Sequence, residues 1–395
     1  MLRSLFSGIS GLRAHQTMMD VVGNNIANVN SVGYKTSNTV FEDTLSQMVR
    51  SSTGPTATTG GVNATQVGLG VKLGGVMTNF SQGSTQLTGR STDMMLQGDG
   101  FFVTNDGSQD LYTRAGAFTL DANGHLTTPD GAIVQGWNAV NGVVNTNAVP
   151  GGVLLPVGMQ IPPTPTANVA LGGNVPATAA VGTAFTTTIT TYDAQGTAVP
   201  VTFTLTKTGA DAWDLSGTGI TPATTPVAFD PASGSITTTS PVAVTVGTSA
   251  VNLDLTKLTQ FGQSNTLTAL SQDGSATGTL QSFTLSPDGT VVGVFSNGVK
   301  QPVAQLAIAA FNNPGGLEKA GNSSFVAGPN SGVPQIGTAG TAGRGQLVGG
   351  ALEMSNVDLA TEFTNLIVAQ RGFQANSKII TASDEILQDL VNLKR

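Results

Sequence analysis

The chain of 395 residues contains no cysteine, so disulfides, thiolate metal sites and thiol nucleophiles are excluded. Charge is also scarce: Asp, Glu, Lys and Arg make up 10% of the residues, against roughly 25% in ordinary soluble domains. Thr, Ser, Asn and Gln must therefore cover the surface. The balance is acidic, with a net charge of −7, and the 16 Lys and Arg residues are dispersed. Nucleic acid needs clustered cations, so it is not an expected partner. No residue from 131 to 192 is charged, yet that stretch is crowded with Gly, Pro, Thr and Asn and could not stay helical in lipid. Membrane insertion is not expected. The first fifteen residues are periodic rather than continuously apolar, with Arg13 among them, and do not read as a secretory signal.

Histidine is nearly absent too. His15 and His125 each lack companions suited to metal or triad chemistry. Gly98-Asp99-Gly100 lacks the Lys-Ser/Thr of a phosphate loop and reads as a tight turn. Asp106-Gly107-Ser108-Gln109-Asp110 lacks the later ligands of a calcium loop and reads as a hairpin loop. The pairs Asp121 with Asp130 and Asp384 with Glu385 are explained by turn capping and a solvated helix face, so no acid and base pair of a glycosidase is visible. No catalytic residue, cofactor or metal is expected, and the chain does not read as an enzyme.

What the sequence does have is two helix-forming apolar stripes, one at each end. In front, Leu2, Leu5, Ile9, Leu12, Gln16, Met19, Gly23 and Ile26 fall at alternating steps of three and four, apolar at six of eight positions. Behind, Leu359, Phe363, Leu366, Gln370, Phe373, Ser377, Ile380, Asp384, Leu387 and Val391 are apolar at seven of ten. Each is a coiled-coil-like seam. A second row flanks each seam: Phe6, Met18, Val22 and Val29 in front, then Ile367, Ile379, Ile386, Leu390 and Leu393 behind. A two-helix hairpin would cover one seam and leave these rows wet, whereas exposed apolar faces of that width mark sites for another chain. The reading is that the terminal helices pair and also pack against neighbouring copies. Gln16 and Gln370, with Ser377 and Asp384, interrupt the seams and either fix register or face a wet channel.

The 51 glycines, nearly twice the usual roughly 7%, fill the middle with turns. Phe101-Phe102-Val103, Leu111-Tyr112-Thr113, Ala117 to Leu120 and Ile133-Val134-Gln135 read as strands between Asn-Asp-Gly and Pro-Asp-Gly turns. Phe185 to Thr191, Val199 to Thr206 and Val242 to Val246 alternate Thr with apolar residues, as half-buried strands do. The hairpin at 283–295 echoes the earlier Pro-Asp-Gly turn. The expected fold is mixed but mainly β: two β-rich domains, the second inserted in the first, with N- and C-terminal helices pairing as a coiled-coil-like inner domain. The expected divisions are a helical inner domain from 1–30 with 359–395, an extended connector from 31–75 with 345–358, an inner β-domain from 76–141 with 280–344, and an outer inserted β-domain over 142–279.

Two long motifs carry a resemblance. Ser4 to Leu12 with Asn24-Asn25-Ile26-Ala27-Asn28-Val29-Asn30-Ser31-Val32-Gly33-Tyr34-Lys35 resembles the N-terminal signature of bacterial flagellar rod and hook proteins. Ser355 to Leu359, Glu362-Phe363-Thr364 and Ala369 to Lys378 resemble the matching C-terminal signature, and Tyr112 to Phe118 with Gln135-Gly136-Trp137 resembles the family's inner β-domain. Within the family the chain is most similar to the hook branch, with the shorter distal rod protein as the alternative and a β-rich surface adhesin as the rival outside it.

The resemblance implies a curved extracellular tube at the flagellar hook, acting as a universal joint that passes motor torque to the filament. It also implies export by the flagellar type III apparatus, many copies of the same chain as partners, and contacts with distal rod, hook cap and hook-filament junction proteins. The expected assembly interface comprises Leu5, Ile9, Leu12, Met19 and Ile26 with Asn24, Asn25 and Asn28, together with Leu359, Phe363, Leu366, Gln370, Phe373, Ile380, Leu387 and Val391. Removing residues 1–30 and 359–395 is predicted to leave a soluble, folded core that does not polymerise. Sedimentation and negative-stain microscopy check this, and polymers from the trimmed chain would overturn it.

Overall fold

The computed structural model describes residues 2–392 apart from Ala57, Val157 and Thr248. Leu393 and the side chains of Leu390 and Val391, all named in the stripes above, lie outside the described residues, as does that of Leu2. Strand accounts for 45% of the chain and helix for 16%, so the mainly β expectation holds. Two long helices stand at the ends: α1, Leu2–Ala27, and α2, Leu359–Asn392. Asp358 starts α2 as its N-cap, its carboxylate accepting from the Ala360 N–H at 2.9 Å and from the Thr361 hydroxyl at 2.9 Å. At the end of α1 the Asn28 side chain folds back to the Asn24 carbonyl at 2.9 Å. Gly33, at φ 68°, then turns the chain where a Cβ would collide with the backbone of Arg114 and Ala115.

The chain divides into two compact units. One comprises Met1–Leu155, Thr284–Val292 and Pro302–Arg395; the other comprises Pro156–Phe283 and Gly293–Gln301. The insertion thus begins some residues later than the expected 142, and a short segment near 300 belongs to it. In the first unit, Phe101–Asn105 forms a hairpin with Asp110–Thr113, and Ile133–Val140 pairs antiparallel with Phe101–Asn105 on one side. On its other side Gly136, Trp137 and Asn138 lie opposite Leu306, Gln305 and Ala304. Residues from the far end of the sequence therefore complete the sheet started by those before the insertion. Phe101, Val103, Tyr112, Trp137 and Phe325 bury one face of it. Phe80 and Phe311 meet the Phe101 ring edge-on at 5.4 and 5.8 Å, a favoured aromatic geometry.

The stretch expected to be an extended connector is paired instead. Ser37–Asp43 runs antiparallel to Val71–Thr78, and Ser46–Arg50 to Thr65–Gly68, giving a two-stranded ribbon. Likewise Gln346–Gly349 pairs with Met94–Gln97 and Ala351–Glu353 with Thr85–Leu87. The sequence conceals this because the ribbon buries so little: Met48, Val49 and Met77 stay exposed, and the side turned to α1, at Thr39 and Phe41, is only half-buried, so the period of two is weak.

The second unit has a four-stranded sheet of Ala184–Tyr192, Ala198–Lys207, Ala212–Gly217 and Thr224–Ala228 in that order. A five-stranded sheet contains the parallel pair Asn168–Pro176 and Ser249–Phe261. Val201, Phe203, Leu205 and Trp213 of the first sheet share a core with Val169, Leu171, Leu253 and Leu255 of the second. The buried Trp213 indole donates to the Gln260 side-chain oxygen Oε1 at 3.0 Å, so the sandwich carries its polar group satisfied. The intervening threonines, such as Thr186, Thr188 and Thr190, turn outward.

Candidate assembly interface

The terminal helices pack antiparallel along a line of small residues. A Cβ added to Gly8 would meet Ile380 at 3.3 Å, and one on Gly11 would lie 2.7 Å from the Asn376 amide nitrogen. One on Gly372 would strike the His15 ring at 2.5 Å. Gly8, Gly11, Ala14, Val22 and Asn25 are buried on α1, as are Glu362, Ala369 and Ser383 on α2. Absent side chains let the two backbones approach closely, which is why the contact line runs through glycine and alanine.

The expected seams lie elsewhere. At about 100° per residue, Leu5, Leu12, Met19 and Ile26 project roughly a quarter turn away from the α1 contact line, and Leu359, Phe363, Leu366 and Phe373 do the same from that of α2. In an antiparallel pair these two displacements fall on the same side, so both rows belong to one face. Its α1 members, with Ile9 beyond them, are half-buried, whereas Leu359, Phe363 and Phe373 are 39%, 49% and 36% exposed. Leu366 is half-buried there, and Gln370, like Gln16, is exposed. Ile380 and Leu387 sit nearer the contact line and are half-buried. On the opposite flank Val368, Ile379 and Ile386 are 55%, 44% and 53% exposed. The heptad reading found the apolar rows but assigned them to the wrong contact within the chain, because glycine scores as a gap in a hydrophobic pattern.

Below the helices the two ends are tied by buried polar groups. The Asn25 amide, fully buried, donates to the Ser37 carbonyl at 2.8 Å and to Glu362 Oε1 at 3.1 Å. Its oxygen accepts from the Ser37 N–H and from the Tyr34 hydroxyl, each at 3.1 Å. Asn24 donates to the same Tyr34 oxygen, and Asn28 to Asn24 Oδ1 at 3.0 Å, so the three asparagines act together to hold the helix end and its turn. Asn356 receives the Thr36 N–H at 2.8 Å and returns its amide to the Asn79 and Ser81 carbonyls.

Deepest is an ion pair. Lys35 Nζ lies 2.6 Å from Glu353 Oε1, with both side chains fully buried. The ammonium also donates to the Ser81 carbonyl, the Gly83 N–H reaches the same carboxylate at 2.8 Å, and Arg114 stands 3.5 Å from its other oxygen. Desolvation pushes the Lys35 ammonium below its ordinary range, partly offset by Glu353. Lys35 and Glu362 stand in the recognised motifs, but nothing in the spacing marks them as buried partners, and Glu353 carries no local signal. Only the presence of a charge in a sparsely charged chain could have drawn attention to them. Among the described residues no group of three His, Asp or Glu could hold a metal ion, and no helix is long and apolar enough to cross a membrane.

Four family models match in chain order. "Flagella basal body rod protein" matches residues 5–35, "Flagellar hook protein FlgE/F/G D1 domain" 95–177, "Flagellar basal body protein FlaE D2 domain" 162–275, and "Flagellar basal body rod FlgEFG protein C-terminal" 348–393. The chain is 36% identical to the flagellar hook protein FlgE of Borreliella burgdorferi, with all of both chains covered. The chain belongs to the flagellar hook and rod protein family. It is 34% identical to the hook protein FlgE of Salmonella typhimurium over 99% of its length, and 34% identical to the flagellar basal-body rod protein FlgG of Bacillus subtilis over all of it. A crystal structure of the Helicobacter pylori flagellar hook protein FlgE2 superposes with a TM-score of 0.52 at 16% identity, covering 66% of this chain and 98% of that one, which shows a shared fold. Both terminal matches of this hook and rod chain fall on the segments that the polar tie joins.

Two predictions follow from the tie. Replacing Glu353 with Ala strands a buried ammonium, and is expected to cost about 3–5 kcal/mol of stability in urea unfolding; a loss below about 1 kcal/mol would mean that Lys35 is not held by this pair. Glu362 is buried, and its Oε2 has no partner among the described residues. Desolvation, with the nearby Asp358, holds its carboxyl above the ordinary range, while Asn25 opposes the shift. A raised folded-state pKa favours the protonated folded form, so the stabilisation is full below the ordinary value and is lost as pH rises through the raised one. Relative to Glu362→Gln, the native chain is therefore expected to lose stability between mildly acidic and neutral pH. Parallel stability curves would rule out that role.

Proposed function

We propose that this chain is a structural subunit of the bacterial flagellar hook, polymerising with many copies of itself into a curved helical tube that transmits torque from rod to filament. The observation that supports this best is the single apolar face formed by both terminal helices. It includes Leu5, Leu12, Met19 and Ile26 beside Leu359, Phe363, Leu366 and Phe373, and a folded single chain leaves much of it in water. Such a face is stabilised when neighbouring copies cover it, at about 25 cal/mol per Å² of apolar surface removed from water. Asn24, Asn25 and Asn28 then serve assembly indirectly, by setting the angle at which α1 leaves the β-structure. Gln370 lies on the covered face as a register or channel position.

The sandwich of the second unit supports the hook reading over the rod reading, because its weakly charged Thr and Ser surface offers many interchangeable hydrogen bonds to sliding neighbours. The identity to the rod protein FlgG keeps the rod as the second reading. On the hook reading the location is the extracellular flagellum, reached through the flagellar type III export apparatus. Further partners are the distal rod protein, the hook cap and the hook-filament junction proteins. No catalytic role is assigned.

Assembly of the purified chain, followed by negative-stain microscopy, tests the reading. Curved tubes are expected, straight tubes would favour the rod, and discrete monomers at high concentration would defeat both. Charging the face with Phe363→Glu should abolish tubes while leaving the β-structure's circular dichroism intact. Deleting residues 156–283, the body of the second unit, should give tubes without supercoil.

A further inference from the structure

The chain has three Asn-Gly pairs, at 123–124, 141–142 and 297–298. In such a pair the glycine nitrogen can reach the asparagine side-chain carbonyl carbon, because no Cβ on the following residue obstructs the approach. We propose that Asn141 is a site of spontaneous covalent modification, converting to aspartate and isoaspartate through a cyclic imide, while the other two pairs are protected by the fold. The bond from Gly142 N to Asn141 Cγ forms and the Cγ–Nδ2 bond breaks. Ammonia leaves with the proton from the glycine nitrogen. Water then opens the ring at either carbonyl, leaving a carboxylate in place of the neutral amide. Water is the sole co-reactant.

Geometry separates the three pairs. Asn141, at φ 53°, and Gly142, at φ 76°, form the two-residue turn of a hairpin held by the Ala139–Val144 and Val140–Val143 pairings. Asn141 is exposed, and neither its amide nor the Gly142 N–H has a hydrogen-bond partner among the described residues. The flanking Val140 and Val143 are 73% and 71% exposed, so little packing opposes local opening of the tip into the conformation the attack requires.

At the first pair, the attacking nitrogen, Gly124 N–H, is bound to the Asp121 carbonyl at 3.1 Å. The Asp121 carboxylate, holding the Asn123 and His125 N–H groups at 2.9 and 2.7 Å, also disfavours loss of the proton that attack requires. At the third pair the leaving amide of Asn297 donates to the Ala276 carbonyl at 2.7 Å, its oxygen accepts from the Val299 N–H at 3.1 Å, and Gly298 N–H is bound to the Phe295 carbonyl at 2.9 Å. Both reacting groups are tied there, and the side chain cannot rotate toward the backbone without breaking two bonds.

The consequence is chemical ageing confined to one hairpin tip. Each conversion adds a negative charge between two exposed valines, and the isoaspartate form inserts a methylene into a turn whose geometry depends on two left-handed residues. Subunits built once into a lasting structure would accumulate it. The test is to hold the purified full-length chain in mildly alkaline buffer, folded or in urea, and follow the three peptides by mass spectrometry and by isoaspartyl methyltransferase labelling. In the folded chain the Asn141 peptide is expected to gain one mass unit and the label several-fold faster than the Asn123 and Asn297 peptides, with the three rates converging in urea. Asn141→Gln should silence the folded-state signal. Equal rates in the folded chain, faster conversion at Asn123 or Asn297, or no conversion at Asn141 where the urea sample converts would each overturn the proposal.

Discussion

Everything at the base of the terminal helices depends on one constraint: a lysine and a glutamate more than three hundred residues apart are fully buried together. An unpaired charge there would be expensive, so Lys35 and Glu353 can enter the interior only as a pair, and only if Ser81, Gly83 and Arg114 satisfy their remaining bonds. That requirement fixes the turn after α1 against the strand that precedes α2. Asn25 then meets Glu362, Thr36 meets Asn356, and the two helices emerge side by side.

Above that base a different physics operates. The helices touch through Gly8, Gly11, Ala369 and Gly372, a contact with little apolar area but close backbone approach. Large side chains are displaced to the flanks, where one chain cannot cover them. A subunit so built is firmly joined at its polar base and incompletely satisfied along its helices, a division that suits a protein whose last apolar burial occurs between copies. The ribbon of residues 37–78 shares this character, because two strands with exposed Met48, Val49 and Met77 make poor use of their own side chains.

The β-structure was legible where alternation was strong. Val199 to Thr206 and the turns at Pro129-Asp130-Gly131 and Ser286-Pro287-Asp288-Gly289 announce themselves, because a half-buried strand needs a period of two and a tight reversal needs glycine. The ribbon escaped notice since the side it turns to α1, at Thr39 and Phe41, is only half-buried. The seams were found but misplaced within the chain, since hydrophobic periodicity detects large apolar side chains whereas these helices meet at small ones.

The sequence by itself determined that the chain is a cysteine-free, sparsely charged β-protein with apolar helices at both ends, and its terminal motifs placed it in a family. These are local properties, written in composition, in the spacing of three and four residues, and in short runs. The tertiary structure alone decided which side chains become partners: that Glu353 reaches Lys35, that Glu362 loses water behind Asn25, and that two apolar rows come to share one face. Each depends on contacts between residues far apart in the chain, and burial of charge or polarity acquires its energetic weight only when the surrounding groups have arrived.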